Sequence, residues 1–143
     1  QLLHRARAHV REGRPRFSAS REAHETLLMT FLQSVMEGDV AKVEQLLANG
    51  AVLRTDAGGK TRAALKEVVG ANRVARGLVG IARKGTPPAR VELRQVNGAP
   101  VLLSFDAAGQ VTGVFDIETD GARIFTVSVV LNPDKLHQLS RPS

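Results

Sequence analysis

The chain has 143 residues, 43% of them hydrophobic, with a formal net charge of +6, no cysteine, no tryptophan and no tyrosine. That length suits one domain with a real core plus a short appendage and leaves no room for a second full domain. The composition excludes disulfides and thiolate metal sites, and no run of some eighteen uncharged apolar residues suggests a membrane span.

The charge is concentrated at the start. Arg5, Arg7, Arg11, Arg14, Arg16 and Arg21, set against Glu12, carry +5 of the +6, leaving residues 22–143 near neutrality. A cationic segment of this kind can neutralise phosphates, while a solvated basic linker is the plainer alternative. Residues 1–12 read as the end of a helix that Gly13 and Pro15 terminate, with a linker from there to Ser20, an available N-cap. The opening shows no secretion signal, and the first residue is Gln1 rather than Met, so a piece of a longer intracellular protein is expected.

Leu27, Leu28, Phe31, Leu32, Val35 and Met36 recur on one helical face, and Gly38 closes that helix. Asp39 can cap a second helix with Val40, Val43, Leu46 and Leu47 on a shared face, stopped by Asn49-Gly50. A short apolar run, Ala51-Val52-Leu53, leads into the Gly-rich turn Asp56-Ala57-Gly58-Gly59-Lys60. The spacing of Val74, Leu78 and Ile81 predicts a third helix over 73–84, weakened by Gly77 and Gly80 and ended by Gly85-Thr86-Pro87-Pro88.

From Val91 the period becomes two. Val91/Leu93, Val101/Leu103/Phe105, Val111/Phe115/Ile117 and Phe125/Val127/Val129/Leu131 alternate with polar or small residues. Asn97-Gly98, Ala108-Gly109 and Asp120-Gly121 mark tight turns between them. Helices first and strands afterwards predict an α+β layer, an antiparallel meander with one face buried, curved over about three helices. The chain closes on Asn132-Pro133-Asp134-Lys135-Leu136, in which Asn132 suits an N-cap, Pro133 the first helical position and Asp134 the positive end of the helix dipole.

These residues carry a resemblance. Leu2-Leu3-His4-Arg5-Ala6-Arg7-Ala8-His9-Val10 is similar to the closing turns of the last helix in region 4 of an extracytoplasmic-function (ECF) sigma factor. The stretch Asp56-Ala57-Gly58-Gly59-Lys60 resembles the Asp-Gly-Gly-Gly-Lys signature of the sigma factors that carry a SnoaL-like domain of NTF2-like fold, with Ala57 standing where that signature has Gly. Arg62-Ala63-Ala64 and Gly70-Ala71-Asn72-Arg73-Val74-Ala75-Arg76 look like the next stretch of those sigma factors, and Asn132-Pro133-Asp134-Lys135-Leu136 matches their terminal signature. The resemblance covers essentially the whole chain. It implies two parts: residues 1–19 as the end of the region 4 recognition helix with its linker, and residues 20–143 as a SnoaL-like regulatory domain.

The function that the resemblance implies is that of a contact module. Asp56, Gly58, Gly59 and Lys60, with Asn132, Pro133, Asp134, Lys135 and Leu136, are the expected contact residues toward the sigma core domains of the same parent chain or the RNA polymerase core, in the cytoplasm. Promoter DNA would be met through the parent protein, with at most weak phosphate contacts from Arg5, Arg7 and Arg11. The N-terminal, base-reading end of a recognition helix would lie before Gln1.

Other chemistry fits the residues less well. Gly59-Lys60-Thr61 imitates the tail of a phosphate-binding P-loop, but the Gly required five residues before Gly59 is Arg54. His4, His9, His24 and His137 lack metal-ligand spacing, so neither metal nor cofactor is expected. The alternative reading is an NTF2-like small-molecule-binding domain or a residual isomerase or cyclase. Such chemistry needs a carboxylate and a neutral oxyanion donor in the pocket, commonly a Tyr, and this chain has none. Asp106, Asp116 and Asp120 read as solvated strand-end carboxylates, with Asp116 facing outward, and His24 sits on the first helix. No catalytic residue is assigned.

Overall fold

The computed structural model describes residues 20–56, 65–131 and Leu136. The expected helical stub at residues 1–19 lies outside them. Three helices, α1 (Arg21–Glu37), α2 (Val40–Leu46) and α3 (Ala71–Lys84), pack on one face of a six-stranded sheet. Its strands are β1 (Leu47–Asp56), β2 (Leu65–Val69), β3 (Arg90–Val96), β4 (Ala99–Phe105), β5 (Val111–Thr119) and β6 (Ile124–Val130), in spatial order β2-β1-β6-β5-β4-β3.

The helix boundaries follow from local chemistry. Ser20 accepts the Ala23 amide at 3.1 Å, satisfying one of the orphan donors of α1. Gly38 turns the chain left-handed at φ 76°, with its amide on the Val35 carbonyl at 3.0 Å and that of Asp39 on Ser34 at 3.2 Å. Asp39 then caps α2 through the Lys42 amide at 3.1 Å. The second helix is shorter than its sequence suggested: Leu47 is already extended, and the chain continues through Asn49-Gly50 as the ten-residue strand β1, whose register against β6 shifts between Leu47 and Val52.

The antiparallel meander expected from Val91 onward is present as β3-β4-β5-β6, and β1 and β2 extend it into a mixed sheet. Strand β1 pairs antiparallel with β2 but parallel with β6, placing Val52, Leu53, Arg54, Thr55 and Asp56 opposite Thr126, Val127, Ser128, Val129 and Val130. The β3–β4 hairpin turns at Asn97 (φ 52°) and Gly98 (φ 80°), the positive-φ pair expected of a two-residue loop.

Both faces of the sheet bury apolar side chains, which corrects the expectation of one. The face under the helices joins Leu28, Phe31 and Val35 of α1 and Val74 and Leu78 of α3 to Leu53, Leu102, Phe115, Ile117, Val127 and Val129. Phe31 and Phe115 stack there with ring centroids 5.8 Å apart. The outer face carries a smaller cluster of Val101, Leu103, Phe105, Val111, Val114, Val130 and Leu136. Thus Val101, Leu103 and Phe105 point away from the helices and Leu102 points toward them. Val111 joins Val114 on the outer face, not Phe115, because a register shift between Ser104 and Phe105 inserts one extra residue in β5.

Candidate functional site: the paired ends of β1 and β6

The parallel pairing of β1 with β6 governs the geometry of the candidate site. Both strands run the same way and end at the same edge of the molecule. The Leu131 amide, one residue past β6, donates to the carbonyl of Asp56, the last residue of β1, at 2.6 Å. Residue 57 continues the chain from one of these bonded partners and residue 132 from the other. Two motifs separated by some seventy positions therefore begin from hydrogen-bonded neighbours, a proximity that a meander would not have produced.

The described side chains of the two motifs share a face. Asp56 is opposite Val130, which is opposite Val114, and this row belongs to the outer face. Asp56 is the end of a strand rather than a turn residue, and its side chain is buried. Leu136 is 3% exposed and belongs to the outer cluster beside Val114 and Val130. It therefore ties the terminal motif to the sheet by apolar burial. Gly58, Gly59, Lys60, Asn132, Pro133, Asp134 and Lys135 lie outside the described residues, as do Arg5, Arg7 and Arg11.

The strip of outer face leading to these ends is polar and charged. One row runs Asp116, Ser128, Arg54 and Glu67 across β5, β6, β1 and β2. The Arg54 guanidinium binds the Glu67 carboxylate at 3.0 Å. The next row holds Glu118, Thr126 and Val52, and with Asn49 and Phe125 it lines an open depression of about 330 Å³. Asp116 and Glu118 are both buried, a feature that alternation on a solvated strand did not foretell.

The helix-side pocket is different in character. Leu32, Met36, Leu78, Ile81, Phe115 and Leu131 are among the side chains around a cavity of about 140 Å³. That is smaller than the roughly 300–1,000 Å³ of a usual small-molecule site. Among the described residues its one hydroxyl, from Ser104, is hydrogen-bonded to Thr112 Oγ1 at 2.9 Å. Asp116 faces the opposite side of the sheet, and Phe125 lines the outer depression instead. Among the described residues no three His, Cys, Asp or Glu side chains gather as a metal site.

Known proteins resemble the chain in both sequence and fold. No family model matches it. It is 29% identical over 140 residues to the protein named "Probable ECF RNA polymerase sigma factor SigI" of Mycobacterium tuberculosis, in strains CDC 1551 and H37Rv. The match covers 97% of this chain and 45% of that protein, so the chain spans less than half the length of these curated relatives. In structure it resembles the extracytoplasmic function sigma factor SigJ of Mycobacterium tuberculosis, with TM-score 0.64, 21% identity, and coverage of 84% of this chain and 46% of that one. An NTF2-like protein from Burkholderia xenovorans superposes with TM-score 0.56 at 13% identity, over 87% of this chain and all of the other. The fold is NTF2-like, and the sequence is homologous to an ECF sigma factor along nearly its whole length.

Proposed function

We propose that this chain, homologous in sequence to an ECF sigma factor and NTF2-like in fold, is the C-terminal regulatory domain of such a factor. It modulates promoter-specific transcription initiation in the cytoplasm by contacting the sigma core domains, their linker or the RNA polymerase core. The observation that carries this reading is the 2.6 Å bond between the Leu131 amide and the Asp56 carbonyl. It makes the points from which both motifs depart a single place, so 57–60 and 132–135 can act as one contact surface. Asp56 and Leu136 act as anchors under that surface, since both are buried.

Such a domain shifts a population only if its contacts differ in free energy between the free and the polymerase-bound states. Lys60, Asp134 and Lys135 supply the charges for that difference, and a contact built on such charges is salt-sensitive. No enzymatic role is proposed. The helix-side cavity is small and apolar, and Asp116 is on the other face of the sheet.

The test is promoter-directed transcription by the full-length parent carrying Lys60→Glu, Asp134→Lys or both. Altered output or polymerase affinity for each variant, with thermal stability retained, is the expected result. Output and affinity equal to those of the parent in both variants would refute the contact surface.

A further inference from the structure

The open depression on the outer face of the sheet contains a buried carboxylate. Glu118 of β5 and Thr126 of β6 are paired across the ladder and both line it, at 8% and 6% exposure. The next residue along that row is Val52 of β1, so no cation stands where a cross-strand partner of Glu118 would be. Among the described residues neither the Glu118 carboxylate nor the Thr126 hydroxyl has a hydrogen-bond or ion-pair partner. Their polar atoms are not sealed in either, and they keep contact with solvent through the depression.

A break in the ladder makes the room. Leu47 pairs with Ile124 and Val52 with Thr126, so residues 48–51 of β1 run alongside Phe125 alone. Ala48, Asn49 and Gly50 line the space that opens there, about 330 Å³, which is within the range of small-molecule sites. A Cβ on Gly50 would meet nothing within 4 Å. Arg54 also borders the space, but its guanidinium is held by Glu67 at 3.0 Å, on the side of β1 away from Glu118.

We propose that this depression binds a guanidinium group, with Glu118 as its counter-ion. Burying a carboxylate without a partner costs free energy, and a cation entering the depression offsets that cost. A guanidinium presents its N–H donors in one plane, which suits the paired oxygens of Glu118, and the Thr126 hydroxyl and the Asn49 side-chain oxygen are further acceptors in the same depression. Phe125 adds an apolar wall, against which a planar, weakly hydrated cation packs better than a compact ammonium. The site borders the first part of β1 and uses neither motif, so it does not rest on the regulatory reading.

The test is a nuclear magnetic resonance titration of the chain with methylguanidinium and, separately, with the capped tripeptide acetyl-Ala-Arg-Ala-amide. Saturable amide shifts at Asn49, Glu118 and Thr126 are expected. Glu118→Gln should weaken binding about tenfold, as loss of a charge-assisted hydrogen bond does, and Thr126→Val about threefold. Glu37→Gln, which removes an exposed carboxylate of α1, should leave it unchanged. Binding of methylguanidinium assigns the site to a free small cation, and binding of the tripeptide alone assigns it to an arginine side chain of a protein partner. No saturable shift with either probe would overturn the proposal, as would methylammonium binding as tightly as methylguanidinium. Affinity unchanged in Glu118→Gln would overturn it too; if that variant does not fold, unchanged affinity in Thr126→Val has the same force.

Discussion

Gly113 shows how much a single position can decide. A Cβ there would lie 3.0 Å from Ser104 Oγ and 3.3 Å from Leu131 Cδ2, so even a methyl group makes both side chains beside the cavity give by a few tenths of an ångström. Gly113→Ala should destabilise the domain by about 1–3 kcal/mol, measured by chemical denaturation. Asp120 is a second instructive residue. Its Oδ1 accepts the amides of Ala122 and Arg123, both at 2.9 Å, and those backbone hydrogen bonds hold its pKa below the usual carboxylate value. A lowered folded-state pKa gives stability that is present above the unfolded value of 3.8 and lost as pH falls through the folded one. Thermal melts of wild type and Asp120→Asn should therefore differ by a constant amount down to about pH 4 and converge below it. A gap that widened with falling pH would contradict this role. The Asp120-Gly121 turn was legible from the residue types alone; the carboxylate's hydrogen bonds were not, because they depend on how the turn folds back on Asp120.

At the scale of elements, the caps and hairpins were the readable part. Ser20, Gly38 and Asp39 act as their residue types dictate, since capping is settled within a few positions. Strand β1 was not readable at full length, because Leu47 continues the helical apolar spacing of α2 and Asn49-Gly50 imitates a stop. Pairing of Leu47 and of Val52 to Asp56 with β6, on either side of Asn49-Gly50, outweighs that local preference. Periodicity also could not reveal the outer-face cluster: β4 is apolar on successive residues from Val101 to Leu103, and the extra residue in β5 reverses the side on which Val111 lies. Leu136 is the test of this second cluster. Leu136→Ala removes a side chain that is 3% exposed and should cost about 2–4 kcal/mol, read as a lower denaturation midpoint with the slope unchanged. A cost below about 0.5 kcal/mol, typical of a surface site, would mean that Leu136 does not anchor the terminal motif.

For the molecule as a whole, the fold class and the two motifs could be read from the chain, but the relation between the motifs could not. Their convergence depends on a parallel pairing between the first strand and the last, with the remaining four strands on either side. Nothing in local periodicity encodes such a long-range choice. The helix face and the outer face then divide the work: one holds the main core, and the other carries the polar rows and the anchors of the proposed contact surface.

The most direct measurement is hydrogen exchange on the full-length parent sigma factor, alone and bound to core RNA polymerase. Exchange should change on polymerase binding at both 54–60 and 128–136, while the β3–β4 hairpin stays as it was. Exchange unaltered in both segments would contradict a contact surface built on the paired ends of β1 and β6.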